Sequence, residues 1–303
     1  MTRHLLDIDD LSNEELLQVL DRCTSPHPVR VLQDRGAALI FEKPSNRTRN
    51  STEMAVVELG GHPVYLKPDE VDIDGRESAE DVARTLACYH SVIAARVFDH
   101  TVLERMAGAV EIPIVNLLSD ISHPLQAIAD LLTIRAEFGP DLAGRTLTWV
   151  GDYSNVARSL GYAASMQRMK VRFACPEAYQ PPAADLVRMA ELGADWAEYD
   201  ADPQAAAEGS DVLVTDAWYS MGQEEEAALR KPIFEAYRVD QDLLDRAEPD
   251  AIFLHCLPAH RGEEVTNEVL DGPQSRVWPE AVNRQPAARG ALEWLIIESE
   301  AGR

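Results

Sequence analysis

The chain has 303 residues, enough for one large or two medium domains, and its apolar fraction of 46% is ordinary for a globular protein. No apolar run approaches the roughly 18 residues of a membrane span, and the charged start Met1–Asp10 has no signal-peptide core, so a cytoplasmic protein is expected. The formal net charge of −24 argues against nucleic acid and anionic membranes as partners, because such a surface repels both.

Asp9–Thr24 has the spacing of an amphipathic helix, with Leu11, Leu16, Leu17 and Leu20 on one face and Asp9, Asp10 or Ser12 as cap. Ala37–Phe41 is a short apolar strand, Lys43–Arg49 a polar loop, and Ser51–Leu59 a helix stopped by Gly60-Gly61. Val64–Leu66 closes this βαβ unit. Strands follow at Val92–Val97 and Ile114–Leu118, with a helix at Thr101–Ala107 between them and another over Pro124–Phe138. A second series begins near Leu142. It places strands at Thr146–Val150, Val171–Ala174, near Tyr199, at Val212–Thr215 and at Ile252–Leu254. Its helices are Asn155–Met169, Leu186–Leu192 and a closing amphipathic one at Ala287–Ile297. Alternating β and α elements predict parallel sheets covered on both faces. The pattern occurs twice, so the expected fold is α/β with two doubly wound parallel-sheet domains, broken near Glu137–Gly144.

The basic residues are mostly arginine, with lysine only at Lys43, Lys67, Lys170 and Lys231. The acidic excess reads either as an ordinary solvated surface or as adaptation to high salt, where self-repulsion is screened. The cysteines Cys23, Cys88, Cys175 and Cys256 form no C-x-x-C pair, which gives no reason to expect a zinc cluster or a disulfide framework. Cys23, Cys88 and Cys175 read as buried small hydrophobes.

Six constellations carry chemistry, and each follows a predicted strand, where ligands bind in such folds. Ser45-Asn46-Arg47-Thr48-Arg49 opens a helix. Free N–H groups, hydroxyls and guanidiniums there suit an oxyanion, and the arginine fork matches phosphate. The plainer alternative is a helix cap with solvated arginines, and the G-x-x-x-x-G-K-[ST] loop is absent. Arg96 ends an apolar strand, either paired with an acid such as Asp99 or aimed at an anion or carbonyl. Asp120-x-x-His123-Pro124-x-Gln126 offers an imidazole donor and an amide able to read a carbamoyl group. Gly151-Asp152-Tyr153-Ser154-Asn155 lacks the dinucleotide fingerprint because position 153 is tyrosine. Asp216 ends a strand, where a carboxylate holds an amino group or caps the next element, and Gly222 lets the following loop flex. In His255-Cys256-Leu257-Pro258-Ala259-His260, Cys256 reads as a polar liner rather than a covalent nucleophile. His255, Cys256 and His260 lack the further ligands a metal site would need.

Ser45-x-Arg47-Thr48-Arg49, His123-Pro124-x-Gln126 and His255-Cys256-Leu257-Pro258 together resemble the transcarbamylases. Asp216 with Ser220-Met221-Gly222, and Cys256-Leu257-Pro258, resemble the ornithine carbamoyltransferase branch, over about Phe41–Trp294. The resemblance implies transfer of a carbamoyl group from carbamoyl phosphate to the side-chain amine of ornithine, giving citrulline and phosphate in arginine metabolism. It implies a carbamoyl-phosphate domain over 1–137, with the C-terminal helix 285–303 packing back on it, and an ornithine domain over 138–284. The first and last helices would cross between them. It also implies a homotrimer with active sites at subunit interfaces, and neither metal nor organic cofactor.

By match to the motifs, Ser45, Asn46, Arg47 and Thr48 would hold phosphate. Arg96, His123, Gln126 and Arg284 would hold the carbamoyl end, and Cys256 and Leu257 would lie between the ligands. Asn155, Asp216, Ser220 and Met221 would hold ornithine. Arg96, His123, Asp216 and Cys256 are the catalytic candidates. Three departures stand out. Asn46 replaces the usual first threonine of Ser-Thr-Arg-Thr-Arg. Ser51-Thr52-Glu53 replaces Ser-Phe-Glu. Asp72 lies in the loop Asp69–Arg76, which is expected to reach the neighbouring subunit's phosphate, and an acid there repels phosphate unless Arg76 or a cation compensates. The rival readings are a sister enzyme acting on putrescine, aspartate or an acylated ornithine, a non-catalytic protein on the same fold, and an α/β oxidoreductase.

Overall fold

The computed structural model describes residues 2–219 and 226–302. In chain order the elements are α1 (Asn13–Thr24), β1 (Gly36–Phe41), α2 (Asn46–Glu58), β2 (His62–Leu66), α3 (Pro68–Val71), α4 (Ala79–Ala87), β3 (His90–Arg96), α5 (His100–Ala109), β4 (Ile114–Leu118) and α6 (Pro124–Phe138). Then come β5 (Thr146–Val150), α7 (Asn155–Met166), β6 (Lys170–Ala174), α8 (Ala183–Leu192), β7 (Ala197–Asp200), α9 (Pro203–Ala207) and β8 (Val212–Thr215). The chain closes with α10 (Ala227–Phe234), α11 (Gln241–Leu244), β9 (Ile252–His255), α12 (Asn267–Leu270) and α13 (Val277–Ala301).

The chain divides into two compact units, residues 1–129 with 283–303, and residues 130–282. It leaves the first unit along α6 and returns along α13, whereas α1 lies within the first unit. The first unit carries a four-stranded sheet in the order β2-β1-β3-β4, and the second a five-stranded sheet in the order β7-β6-β5-β8-β9. All pairings are parallel. Strands buried on both faces are largely apolar, and Ala37–Phe41, Thr146–Val150 and Ile252–His255 are buried at every position, with the polar exceptions hydrogen-bonded, as Thr148 is to the Ala206 carbonyl and Ser210.

Winding reverses once in each sheet, between β1 and β3 and between β5 and β8. At a reversal the two connections leave toward opposite faces, opening a crevice beyond the carboxyl ends of the strands. The motifs follow these strands. Ser45–Arg49 comes after β1, Arg96 ends β3, Asp152 follows β5 and Asp216 follows β8.

Several elements differ from the sequence expectation. Helix α2 starts at Asn46, inside the predicted loop, because the Ser45 hydroxyl accepts the Thr48 N–H and caps the turn. Helix α1 starts at Asn13 behind a capping box of Ser12 and Glu15, and Ile8–Asp10 forms a separate short turn. Helix α13 starts ten residues before Ala287 and runs through Pro286. Cys88 is exposed at the end of α4, not buried, while Cys23 and Cys175 are buried and all four cysteines are free thiols.

Within the first unit α13 packs closely on α1. A Cβ at Gly290 would meet Cys23 Sγ at 2.4 Å and the Cys23 backbone nitrogen at 2.7 Å, so only glycine allows this approach. Trp294 donates to Gln18 at 2.9 Å, and Glu293 accepts from Arg22 at 2.9 Å. In the second unit Gly151 turns off β5 at φ +124°, in the left-handed region open to glycine.

Candidate active site

In the first unit the sequence motifs converge on one buried cluster. Thr48, in the first turn of α2, is buried, and its hydroxyl accepts from Arg284 Nη2 at 3.0 Å. That leaves its hydroxyl hydrogen as a donor. Arg284 Nη1 donates to Gln126 Oε1 in the first turn of α6. A guanidinium only donates, so it fixes which end of the Gln126 amide is oxygen. His123 starts α6 and is buried, and its carbonyl accepts the Gln126 N–H at 3.1 Å. Burial, and then Arg284 and Arg96 beside it, push the His123 imidazole well below its ordinary value, so it is neutral at pH 7. Neutral, it donates to an oxygen without bringing a proton of its own charge.

Two supports hold this cluster. Asn116 donates to the Leu6 and Ser122 carbonyls at 2.8 and 3.3 Å, and Ser122 donates to Asp7 at 2.8 Å. Together they fix the turn that delivers His123. Asp99 accepts from Thr101 N and Oγ1 at 2.8 and 2.7 Å, capping α5. That engages the Asp99 carboxylate at the start of α5, and the backbone carbonyl of the buried Arg96 accepts from Glu42 N.

The outer part of the motif is more open. Arg47 is half-buried and has no ion-pair partner among the described residues. Asn46 is exposed, and its side-chain oxygen accepts from Asn50 at 2.9 Å. Arg49 stacks on Tyr65 at 3.7 Å and donates to Glu53 at 2.7 Å, which accounts for that guanidinium structurally. Asp72 stands apart. It is exposed, in the left-handed region at φ 47°, and no hydrogen bond or ion pair joins it to Ser45–Thr48 among the described residues. Arg76 donates to the Glu70 carbonyl at 2.8 Å and pairs with Glu77 at 3.8 Å. Arg105 clamps the same loop, reaching Asp74 at 2.7 and 2.8 Å and Glu80 at 2.7 and 2.9 Å.

The second unit gathers a different chemistry. Thr215 donates to the Val150 carbonyl at 2.6 Å and ties the ends of β8 and β5 together. Asp216 follows, accepting from Ala217 N at 2.8 Å. Burial raises its carboxyl above the ordinary range, opposed by the Ala217 N–H and the Cys256 thiol. Burial, and then Asp216 and Glu280, raise Cys256 well above an ordinary thiol, so it is a protonated donor to Asp216 and not a thiolate nucleophile. Leu257 follows at φ 60°. Asn155 opens α7 half-buried, its side-chain oxygen accepting from Val156 N at 2.9 Å. Ser220, Met221 and Gly222 lie outside the described residues.

Two carboxylates and one arginine here escaped the sequence reading, which noted Asp152 only within a motif lacking the dinucleotide fingerprint. Arg230, on α10, donates to Asp152 at 2.8 Å and to the Trp218 carbonyl at 3.0 Å, and burial raises the Asp152 carboxyl even with Arg230 opposing. Glu280, buried on α13, accepts from His255 N at 2.9 Å. Glu264, buried, faces His255 Nε2 at 3.2 Å. The ligand atoms of Asp216, His255 and Cys256 lie within 4.8 Å of one another, as do those of His260, Glu263 and Glu264. Both ring nitrogens of His255 are engaged, Nδ1 by Leu257 N at 2.9 Å and Nε2 by Glu264, so a metal there would have to break one of these bonds.

Two family models match. The aspartate/ornithine carbamoyltransferase carbamoyl-P binding domain covers residues 3–136, and the Asp/Orn binding domain of the same family covers residues 143–295. The chain belongs to the aspartate/ornithine carbamoyltransferase family. Among members of this family, an ornithine carbamoyltransferase of Acidothermus cellulolyticus is 47% identical over 98% of this chain and 97% of that protein. One from Thermus thermophilus is 44% identical over 98% and 97%. The solved ornithine carbamoyltransferase of Pyrococcus furiosus superposes with a TM-score of 0.90 at 42% identity, covering 96% of both chains. Within this carbamoyltransferase family the first match spans Ser45–Thr48, Arg96, His123 and Gln126, and the second spans Asn155, Asp216, Cys256, Leu257 and Arg284.

Proposed function

We propose that the protein is an ornithine carbamoyltransferase, moving the carbamoyl group of carbamoyl phosphate to the side-chain amine of L-ornithine to give L-citrulline and phosphate. The observation that carries this reading is the buried Thr48–Arg284–Gln126 cluster beside a neutral His123 and Arg96, in a chain matched by both family models.

Ser45, Asn46, Arg47 and Thr48 bind the phosphate at the N-terminus of α2, where free N–H groups and guanidiniums meet a dianion. Arg96, His123, Gln126 and Arg284 take the carbamoyl group, Gln126 and the backbone near Cys256 and Leu257 reading its amide. Ornithine binds through Asn155, Asp216, Ser220 and Met221. Its side-chain amine, with an ordinary pKa near about 10.4, must lose a proton before attack. Asp216 and the Cys256 thiol orient that amine. Attack on the carbamoyl carbon forms a C–N bond and puts negative charge on the carbonyl oxygen. Thr48, Arg96 and His123 donate to it, each such donor contributing about 2.7–4 kcal/mol by analogy with oxyanion holes. Collapse breaks the C–O bond to phosphate, which leaves toward Ser45–Thr48, and the amine proton passes to the departing phosphate or to solvent.

No step of this reaction calls for a metal or organic cofactor. The reading extends to a homotrimer in the cytoplasm, with Asp72 on a loop directed to the neighbouring subunit.

The test is citrulline formation from carbamoyl phosphate with ornithine, putrescine, aspartate and N-acetylornithine in parallel, at low and molar salt. Product with ornithine alone supports the reading. Product with a different amine keeps the carbamoyl-phosphate half and overturns the ornithine half. No product from folded protein overturns the enzyme.

A further inference from the structure

Glu264 is completely buried, and its side chain meets no lysine or arginine among the described residues. A carboxylate in that position is costly unless hydrogen bonds hold it. Its Oε1 accepts from the backbone N–H of His260 and faces His255 Nε2 at 3.2 Å. On the other side of the same ring, Nδ1 accepts the Leu257 N–H at 2.9 Å. A ring nitrogen that accepts carries no proton, so the imidazole proton sits on Nε2 and points at Glu264. The backbone N–H of His255 is held separately by Glu280 Oε2 at 2.9 Å, which fixes the main chain that carries the ring.

The end of this chain of contacts is unusual. Leu257 has φ 60°, a conformation disfavoured for any residue with a Cβ. Strain of that kind persists only where the surroundings over-determine it. The His255 Nδ1 acceptor is what anchors the Leu257 amide, and Nδ1 is an acceptor only while Nε2 keeps the proton.

We propose that Glu264 is a positioning residue. By holding His255 in the Nε2–H tautomer it secures the Leu257 N–H, and with it the left-handed turn that sets Cys256 and Leu257 for the carbamoyl group. The inference rests on the proposed carbamoyl transfer for its kinetic consequence, but the relay itself is a structural property that can be read without turnover. What Glu264 supplies is an acceptor of the right length, so a neutral amide should replace it.

Glu264→Gln and Glu264→Met are compared by steady-state kinetics and by nitrogen NMR of histidine-labelled protein, with folding followed by circular dichroism. Glu264→Gln should keep kcat within about 3-fold, because its oxygen can accept from both N–H groups. Glu264→Met, equally long but without an acceptor, should lower kcat roughly 10–100-fold, the size expected when a reacting group is misplaced by about 1 Å. Its His255 signal should leave the Nε2–H tautomer. A folded Glu264→Met with wild-type kcat overturns the proposal, and so does a Glu264→Gln as impaired as Glu264→Met. If Glu264→Met does not fold, His255→Asn and His255→Gln decide instead. The asparagine oxygen mimics Nδ1 and should retain the higher kcat, and equal or reversed activities contradict the relay. If the wild type makes no citrulline, the function reading fails, yet the relay stands or falls on whether wild type shows the Nε2–H tautomer and Glu264→Met loses it.

Discussion

At the ends of β1, β3 and β4 the first unit gathers Thr48, Arg96, His123, Gln126 and, from α13, Arg284, all donors and two of them fixed cations. At the ends of β5, β8 and β9 the second unit gathers Asp152, Asp216, a protonated Cys256 and the buried Glu264 and Glu280 behind His255. The same parallel, doubly wound scaffold thus carries opposite charge in its two crevices. In the first, burial and then two guanidiniums keep a histidine neutral. In the second, burial lifts carboxyls and a thiol. A fold supplies the crevice, and the side chains at the strand ends decide whether an anion or an amine belongs there.

The sharpest way to break this comparison is to remove one charge from each side. Arg96→Met should lower kcat about 10²–10³-fold, the loss typical of one donor to a developing oxyanion, measured by citrulline formation at saturating substrates. A loss below tenfold would take Arg96 out of the reacting centre. Asp216→Asn keeps an acceptor for the Ala217 N–H and removes the charge. It should lower kcat/KM for ornithine about 10–100-fold, the worth of a hydrogen bond to a charged group, while the KM for carbamoyl phosphate moves less than about 3-fold. Equal damage to both substrates would blur the division between the units.

A stability measurement sharpens the cationic side. His123 is held below its ordinary value, so below about pH 6.5 the unfolded chain takes a proton at this site that the folded chain refuses. Stability is therefore lost as pH falls through that range, by up to about 1.4 kcal/mol per pH unit. Asp152 and Asp216, raised by burial, act with the opposite sign. The readout is accordingly the difference between wild type and His123→Asn in denaturant titrations from pH 7.5 to 5.5. The variant should show the shallower decline, and parallel curves would contradict a neutral His123. The smallest effect is expected at Cys256→Ser, where a hydroxyl can still donate to Asp216 and activity should fall less than about tenfold. A loss beyond 10³ would mark a covalent nucleophile instead.

Much of this was legible in the sequence because it is local. Apolar runs such as Ala37–Phe41 and Val212–Thr215 are strands buried on both faces, and the motifs fall directly after strands, where the winding order makes crevices. What escaped depends on partners distant in sequence. Arg284 meets Thr48 across 236 positions, and Arg230 meets Asp152 across 78. Only resemblance pointed to the first of these, and nothing pointed to the second. Glu264 and Glu280 sit among ordinary acidic residues of a chain with 52 of them, and no periodicity separates a buried carboxylate from a solvated one. Helix α4 was missed although Ser78 caps it through the Asp81 N–H and Ala79, Val82, Ala83 and Leu86 line one face of it at helical spacing.

The division of labour between the units is tested most directly by equilibrium binding of phosphonoacetamide, a carbamoyl phosphate mimic with a methylene in place of the bridging oxygen. Isothermal titration calorimetry would compare wild type, Arg96→Met and Asp216→Asn. The account predicts that Asp216→Asn binds within about 3-fold of wild type and that Arg96→Met binds at least tenfold more weakly, the loss of one charge-assisted hydrogen bond. An Asp216→Asn protein that loses the mimic as completely as Arg96→Met would contradict it.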